Sequence, residues 1–178
     1  MKKLLIIIVL STLFLTNCFG GLYKSGSVLG YSKGVVKTQG GSFRVGKLPT
    51  YWKQEKIAYR AVLFSNQHDH STITIDSWCR DAADDASLRN LTEDLFRGIN
   101  NFQAKARYDF TPAGRAALLT EGHGSVDGKD IFISAYVFKM NTCVFDFLYV
   151  TLPDQTDYYG DFKNMIKEFR FIKGPKIL

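Results

Sequence analysis

The sequence lacks most of the features that identify an enzyme or a nucleic-acid-binding protein. It has three histidines and three cysteines in 178 residues, and no Gly-x-Ser-x-Gly element of the kind that presents a serine nucleophile. No segment has the ending of a phosphate-binding loop or the Rossmann glycine spacing, and no run of lysine and arginine forms a nucleic-acid patch. We therefore expect no enzymatic activity, catalytic residue, cofactor or resident metal, and no binding of nucleic acid.

The sequence also lacks an apolar run long enough to cross a membrane easily. The longest run, residues 4–15, makes a helix of about 18 Å, whereas the hydrocarbon core of a bilayer is about 30 Å thick. The run follows Lys2 and Lys3, and a positive start before a short apolar run is typical of an export signal. The pattern predicts a signal peptide over residues 1–17.

The residues that follow this run carry a possible lipid-attachment point. The segment LTNC at positions 15–18 resembles the bacterial lipobox, in which the cysteine thiol receives diacylglycerol before cleavage. The resemblance implies lipidation of Cys18, although Asn17 stands where a small residue is usual. Two alternatives stay open at this point, namely ordinary secretion after cleavage near Gly20 and an uncleaved anchor.

Composition divides the remainder into a tether, a body and a tail. Residues 18–41 are rich in glycine, serine and lysine without a sustained period, which predicts a flexible, lipid-anchored tether. Residues 42–173 carry enough apolar and aromatic side chains for a single domain, and residues 174–178 form a tail. The net charge of +6 includes two signal-segment lysines, and the mild excess that remains favours approach to an anionic membrane or polymer.

Hydrophobic periodicity predicts an α+β domain. Segments rich in β-forming residues come first, and a polar, hairpin-like connection joins two of them. A leucine pattern at 88–99 with helical spacing follows. Further strands end in a closing helix with Phe162, Met165, Ile166 and Phe169 on one stripe. The segment DIFISAYVF at 130–138 is apolar on both faces, so its sheet must be covered on both sides. The pattern predicts an α/β/α sandwich with a mostly antiparallel sheet.

Two segments of the body resemble a known family. FRVGKLPTYW at 43–52 opens the domain, and CVFDFLYVTLPDQTDYYGDFKNMIKEFRF at 143–171 closes it as strand, turn and helix. The pattern over roughly residues 42–172 resembles the PsbP-like fold, which includes DcrB-type bacterial lipoproteins. The resemblance implies an accessory role in assembly or stabilisation and transfers no site residue.

Cys79 and Cys143 are the cysteines of the body, and each lies near the end of a predicted strand. In an oxidising compartment such a pair favours a disulfide, which needs Cα atoms within about 4.4–6.8 Å of each other. Two buried free thiols are the alternative that the sequence leaves open.

Asp146 is the candidate pocket or docking residue, because it lies inside the apolar strand CVFDFLYV. A buried carboxylate is costly unless it is paired or hydrogen-bonded, and a purely structural pairing is the alternative. The spacing of His68 and His70 gives two metal ligands on one side of an extended chain, but a third from His123 is needed. A solvated polar loop is the simpler interpretation of these histidines.

These observations predict a lipid-anchored protein of the bacterial cell envelope that faces the periplasm, with inner and outer membrane unresolved. Its partners would be the membrane, through the lipid, and a protein in an envelope complex, with the oligomeric state unknown. The alternative is a periplasmic carrier of a small apolar or lipid ligand, which an enclosed apolar void would favour. A hydrolytic enzyme would need a convergent polar cluster, for example around His123 and Asp146.

Overall fold

A computed structural model describes residues 28–39, 41–55, 61–79, 86–110, 115–140 and 143–173. The predicted signal peptide, Cys18, the first part of the predicted tether and the tail 174–178 lie outside these residues. In the part of the chain that the structure describes, none of the helices has the length and apolarity needed to cross a bilayer.

Strands dominate the described chain. In chain order they are β1 (Val28–Ser32), β2 (Val35–Thr38), β3 (Gly41–Arg44), β4 (Trp52–Gln54), β5 (Val62–Asn66), β6 (Thr72–Cys79), β7 (Asn100–Phe110), β8 (Ala117–Val126), β9 (Lys129–Met140), β10 (Cys143–Thr151) and β11 (Arg170–Lys173). Two helices complete the described elements, α1 (Leu88–Leu95) and α2 (Tyr159–Lys167).

The strands form two antiparallel sheets. The larger has seven strands in the order β4-β5-β6-β10-β9-β8-β7, and the smaller has four in the order β1-β2-β3-β11. Strands β9 and β10 lie at the centre of the larger sheet, and most of their residues are buried on both faces. This burial explains why neither strand alternates between apolar and polar residues.

The two faces of the larger sheet are covered by different elements. On one face, Phe145 and Phe147 of β10 pack with Phe43 of the smaller sheet and with Phe162 of α2. On the other face, Leu91 of α1 packs against the central strands, together with the buried valines Val137 and Val144. The prediction of an α+β fold with a mostly antiparallel sheet covered on both sides is confirmed, with a second sheet added to one layer.

Part of the predicted flexible tether is folded, so that prediction was wrong for residues 28–39. Val28 and Val36 are buried in the main core, and β1 pairs with β2. The two strands are joined at Lys33 and Gly34, whose φ angles are 49° and 81°. Positive φ at both central residues is the geometry of a tight hairpin turn. The glycine-rich composition therefore hid two short strands.

Both helices are shorter than the periodicity predicts. Helix α1 starts after Ser87, whose side chain accepts a hydrogen bond from the backbone N–H of Asn90 at 3.2 Å. It ends at Leu95, because Gly98 adopts a φ of 102° and the chain then enters β7. Helix α2 ends at Lys167, and the residues that follow Phe169 pair with β3 as β11 instead of extending the helix.

Candidate functional site

Asp146 lies on the face of the larger sheet that α1 covers, directly opposite Asp76 of β6. Asp146 is only 3% exposed, and its cross-strand neighbour on β9 is the buried Val137. Oδ2 accepts a hydrogen bond from Trp78 Nε1 at 3.2 Å, whereas Oδ1 has no partner among the described residues. Two carboxyl groups therefore face each other in an apolar layer.

This environment changes the charge of the pair. Burial, followed by the nearby Asp76 carboxylate, raises the pKa of Asp146 to about 7, while the Trp78 hydrogen bond opposes the shift. Burial also raises the pKa of Asp76, although the Ser77 backbone N–H donates to it at 2.7 Å. The pair therefore holds a proton at a pH where an exposed aspartic acid has lost it.

A groove of about 720 Å³ lies between α1 and β7, at one edge of the larger sheet, and is open to solvent. The rings of Phe96 and Phe102 stack there with centroids 4.2 Å apart. Gly122 of β8 makes this possible, because a Cβ atom at that position would lie 2.5 Å from the Phe102 ring. The glycine thus lets the ring lie flat on the sheet.

Two arginines give this groove its polar rim. Arg97, two residues beyond the end of α1, binds the exposed Asp94 at 2.6 Å. Arg107 of β7 lies 3.5 Å from Glu93, and its side chain is 30% exposed. The longer ion pair leaves the guanidinium of Arg107 with donors that a second carboxylate can use. Phe96 is only 6% exposed and belongs to the core, so the aromatic side chain that the groove offers is the partly exposed Phe102, beside the Arg107 cation.

His123 does not join Asp146, because the two side chains lie on opposite faces of the sheet. His123 is opposite Phe132 in the β8–β9 ladder, on the side of the main core. The centroids of the two rings are 5.3 Å apart. On that side the Tyr159 hydroxyl donates to Glu121 and hydrogen-bonds to Ser134 at 3.0 Å. The polar cluster that a hydrolase would need around His123 and Asp146 is not formed.

The other two histidines lie at a surface loop. His68 contacts the rings of Tyr51 and Tyr158 at 5.2 and 5.9 Å, and His70 adopts a φ of 61° in the same turn. Within the described ranges, no three His, Cys, Asp or Glu side chains are close enough together to hold a metal ion.

Cys79 and Cys143 form a disulfide in the structure, with their Cα atoms 4.0 Å apart, which is slightly closer than the usual range for a bridge. They are directly opposite each other in the β6–β10 ladder, at the end where β6 finishes and β10 begins. The same ladder places Asp76 opposite Asp146 three positions further along. The bridge and the acid pair therefore belong to one strand pair.

Comparison with known proteins identifies the fold. No family model matches the sequence, and no curated protein matches it either. Among solved structures, cyanobacterial PsbP from Synechocystis matches with a TM-score of 0.56 and 14% identity, over 85% of this chain and 96% of that one. LpqN of Mycobacterium tuberculosis, which is involved in cell envelope biogenesis, matches with a TM-score of 0.53 and 18% identity, over 76% and 86%.

A Pseudomonas aeruginosa protein of unknown function matches with a TM-score of 0.51 and 14% identity, over 75% of this chain and 93% of that one. Identities this low establish the fold alone. The chain has a PsbP-like fold, as its opening and closing segments predict.

Proposed function

We propose that this PsbP-like chain is a bacterial envelope lipoprotein, anchored through Cys18, that binds a protein partner in a membrane or envelope complex without catalysing a reaction. The observation that carries the proposal is the groove between α1 and β7. Its partly exposed Phe102, which stacks on the buried Phe96, and its two arginines are the residue types that anchor protein interfaces. The envelope role of LpqN, which shares the fold, supports the location.

The shape of the groove favours a protein segment over a small apolar ligand. The groove is open to solvent, and charged side chains of α1 and β7 line it, whereas a lipid carrier needs an enclosed apolar cavity. The main core is filled by aromatic rings in contact, such as Phe138 and Phe145 at 4.9 Å. The occupant that fits is a partner segment with an acidic side chain for Arg107 beside an apolar side chain for the partly exposed Phe102.

Reversing the charge of Arg107 is expected to remove the partner. The full-length chain carrying Arg107→Glu would be purified by affinity from crosslinked membranes and compared with wild type. Losing a charged contact in a desolvated interface costs about 2 kcal/mol or more, which corresponds to roughly thirty-fold in affinity. We expect recovery of the partner to fall by that order.

Lys105→Glu is the matched control for this experiment. Lys105 lies on the same strand, and its charge acts on His123 on the opposite face of the sheet. The control makes the same change in net charge and should recover the partner as wild type does. Equal recovery with Arg107→Glu would contradict the proposed role of the groove, and loss of copurifying lipid instead of protein would favour a carrier.

A further inference from the structure

In the four described strands of the smaller sheet, the outer face carries cations and no acid. Strands β1, β2, β3 and β11 have the sequences VLGYS, VVKT, GSFR and RFIK, which contain no Asp or Glu. Their cations are Lys37, Arg44, Arg170 and Lys173. Among the described residues, none of the four takes part in an ion pair.

The strand register places these four cations on one face. Arg44 lies opposite Arg170, and Ser42 lies opposite both Lys37 and Lys173. The alternate residues, such as Phe43, point into the main core. Glu168 is the acid that precedes β11. Its side chain lies beside Gly46, beyond the end of β3. The face is therefore a basic surface built from three adjacent strands.

Two large apolar side chains are exposed in the same sheet. Leu29 of β1 is 58% exposed and Ile172 of β11 is 54% exposed. Each lies at a register shift of its strand, where an extra residue is pushed out of the regular pairing. Cations beside exposed aliphatic side chains are the combination that binds an anionic lipid surface, because the charges approach the headgroups while the aliphatic groups enter the interface.

The sequence places this sheet close to the proposed anchor. Strand β1 begins ten residues after Cys18, and ten residues span at most about 35 Å and typically about 17 Å. We propose that the outer face of the smaller sheet docks on the anionic phospholipid headgroups of the membrane that holds Cys18. The inference rests on the proposed anchor and adds the orientation of the domain, which leaves the groove of the larger sheet available to a partner.

A lipid-directed crosslinking experiment tests this orientation. The full-length chain, extracted from membranes, would be reconstituted into vesicles of phosphatidylethanolamine and phosphatidylglycerol. A photo-crosslinking amino acid would replace Ile172 in one sample and Val126 in the other. Val126 is 39% exposed and lies at the end of β8 in the larger sheet. We expect phospholipid adducts at position 172 to exceed those at position 126 by at least about five-fold. A preference of that size for the docked orientation is what a single cation near an anionic surface provides.

Charge variants test the electrostatic part. Lys37→Gln combined with Arg170→Gln is expected to weaken docking about thirty-fold at low salt, and added salt should weaken docking of the wild type. The matched control combines Lys53→Gln with Lys129→Gln, two exposed lysines of the larger sheet, and should leave the adducts at position 172 unchanged. All four positions are exposed, so thermal melting should show the wild-type transition.

The outcomes separate the docking from the anchor. Equal adducts at the two positions, or equal effects of the two charge variants, would overturn the docking, as would adducts at position 172 to a copurified protein instead of lipid. Fatty-acid labelling of the same preparation tests the anchor. Labelled protein with equal adducts contradicts the docking alone, whereas unlabelled protein with adducts concentrated at position 172 contradicts the anchor and supports the docking.

Discussion

Asp146→Asn is expected to stabilise the protein by about 4 kcal/mol at pH 8 and to change its stability little at pH 4. Burial raises the pKa of the Asp146 carboxyl group from 3.8 to about 7. Between these values the folded state holds a proton that the unfolded chain has released, so the free energy of unfolding falls as the pH rises. Asparagine keeps the shape of the side chain and removes this dependence.

Urea unfolding at pH 4, 6 and 8 measures this effect. Wild type should lose about 4 kcal/mol across the range through Asp146, and the variant should lose much less. Asp154→Asn, which removes an exposed carboxylate, should follow wild type. Asp76→Asn removes a nearby negative charge, so it should lower the pKa of Asp146. The loss of stability with rising pH should then be complete at a lower pH than in wild type. A variant that is less stable than wild type at pH 8 would show that the Asp146 carboxylate stabilises the fold.

Replacing both Cys79 and Cys143 with alanine is expected to lower the free energy of unfolding by about 4 kcal/mol. The two cysteines are 64 positions apart, and a cross-link across a loop of that length removes much of the freedom of the unfolded chain. The double variant avoids leaving a single reactive thiol. Guanidinium unfolding of the oxidised wild type and the variant gives the difference directly.

Reduced wild type provides the control for the disulfide. Under reductant its stability should fall to that of the double variant, because both then lack the cross-link. Thiol counting on the denatured, unreduced protein should find neither of these two cysteines free. Two free thiols, or equal stability of the oxidised wild type and the double variant, would contradict the bridge.

The centre of the fold could be predicted because burial on both faces leaves a direct mark on the sequence. Strands β9 and β10 are apolar at successive positions, which requires cover on both sides. The edge strands leave no such mark. The side chains of β7 whose burial the structure describes are mainly exposed, and β11 continues the apolar stripe of α2, so neither strand contrasts with its neighbours. The position of each edge strand depends on which distant strand it pairs with, and local hydrophobic periodicity carries no information about that partner.

The candidate sites also divide into features visible within one strand and features that depend on strand pairing. Asp146 could be singled out because one carboxylate interrupts an apolar strand, but its neighbour Asp76 depends on the register of β6 against β10. The same register decides between a disulfide and free thiols for the two body cysteines. The groove was missed because β7 was missed. Gly122 and Gly124 within β8 were the available signal, since isolated strand glycines mark the close approach of another segment.

We propose that Cys18 fixes this domain to a membrane. The most direct measurement is the intact mass and N-terminal sequence of the full-length chain after extraction from bacterial membranes, beside the Cys18→Ala variant. A lipid anchor at this position requires a mature chain that begins at Cys18 and carries acyl chains, and a variant that lacks them and does not begin at position 18. A wild-type chain that begins near Gly20, or an unmodified Cys18, would contradict it.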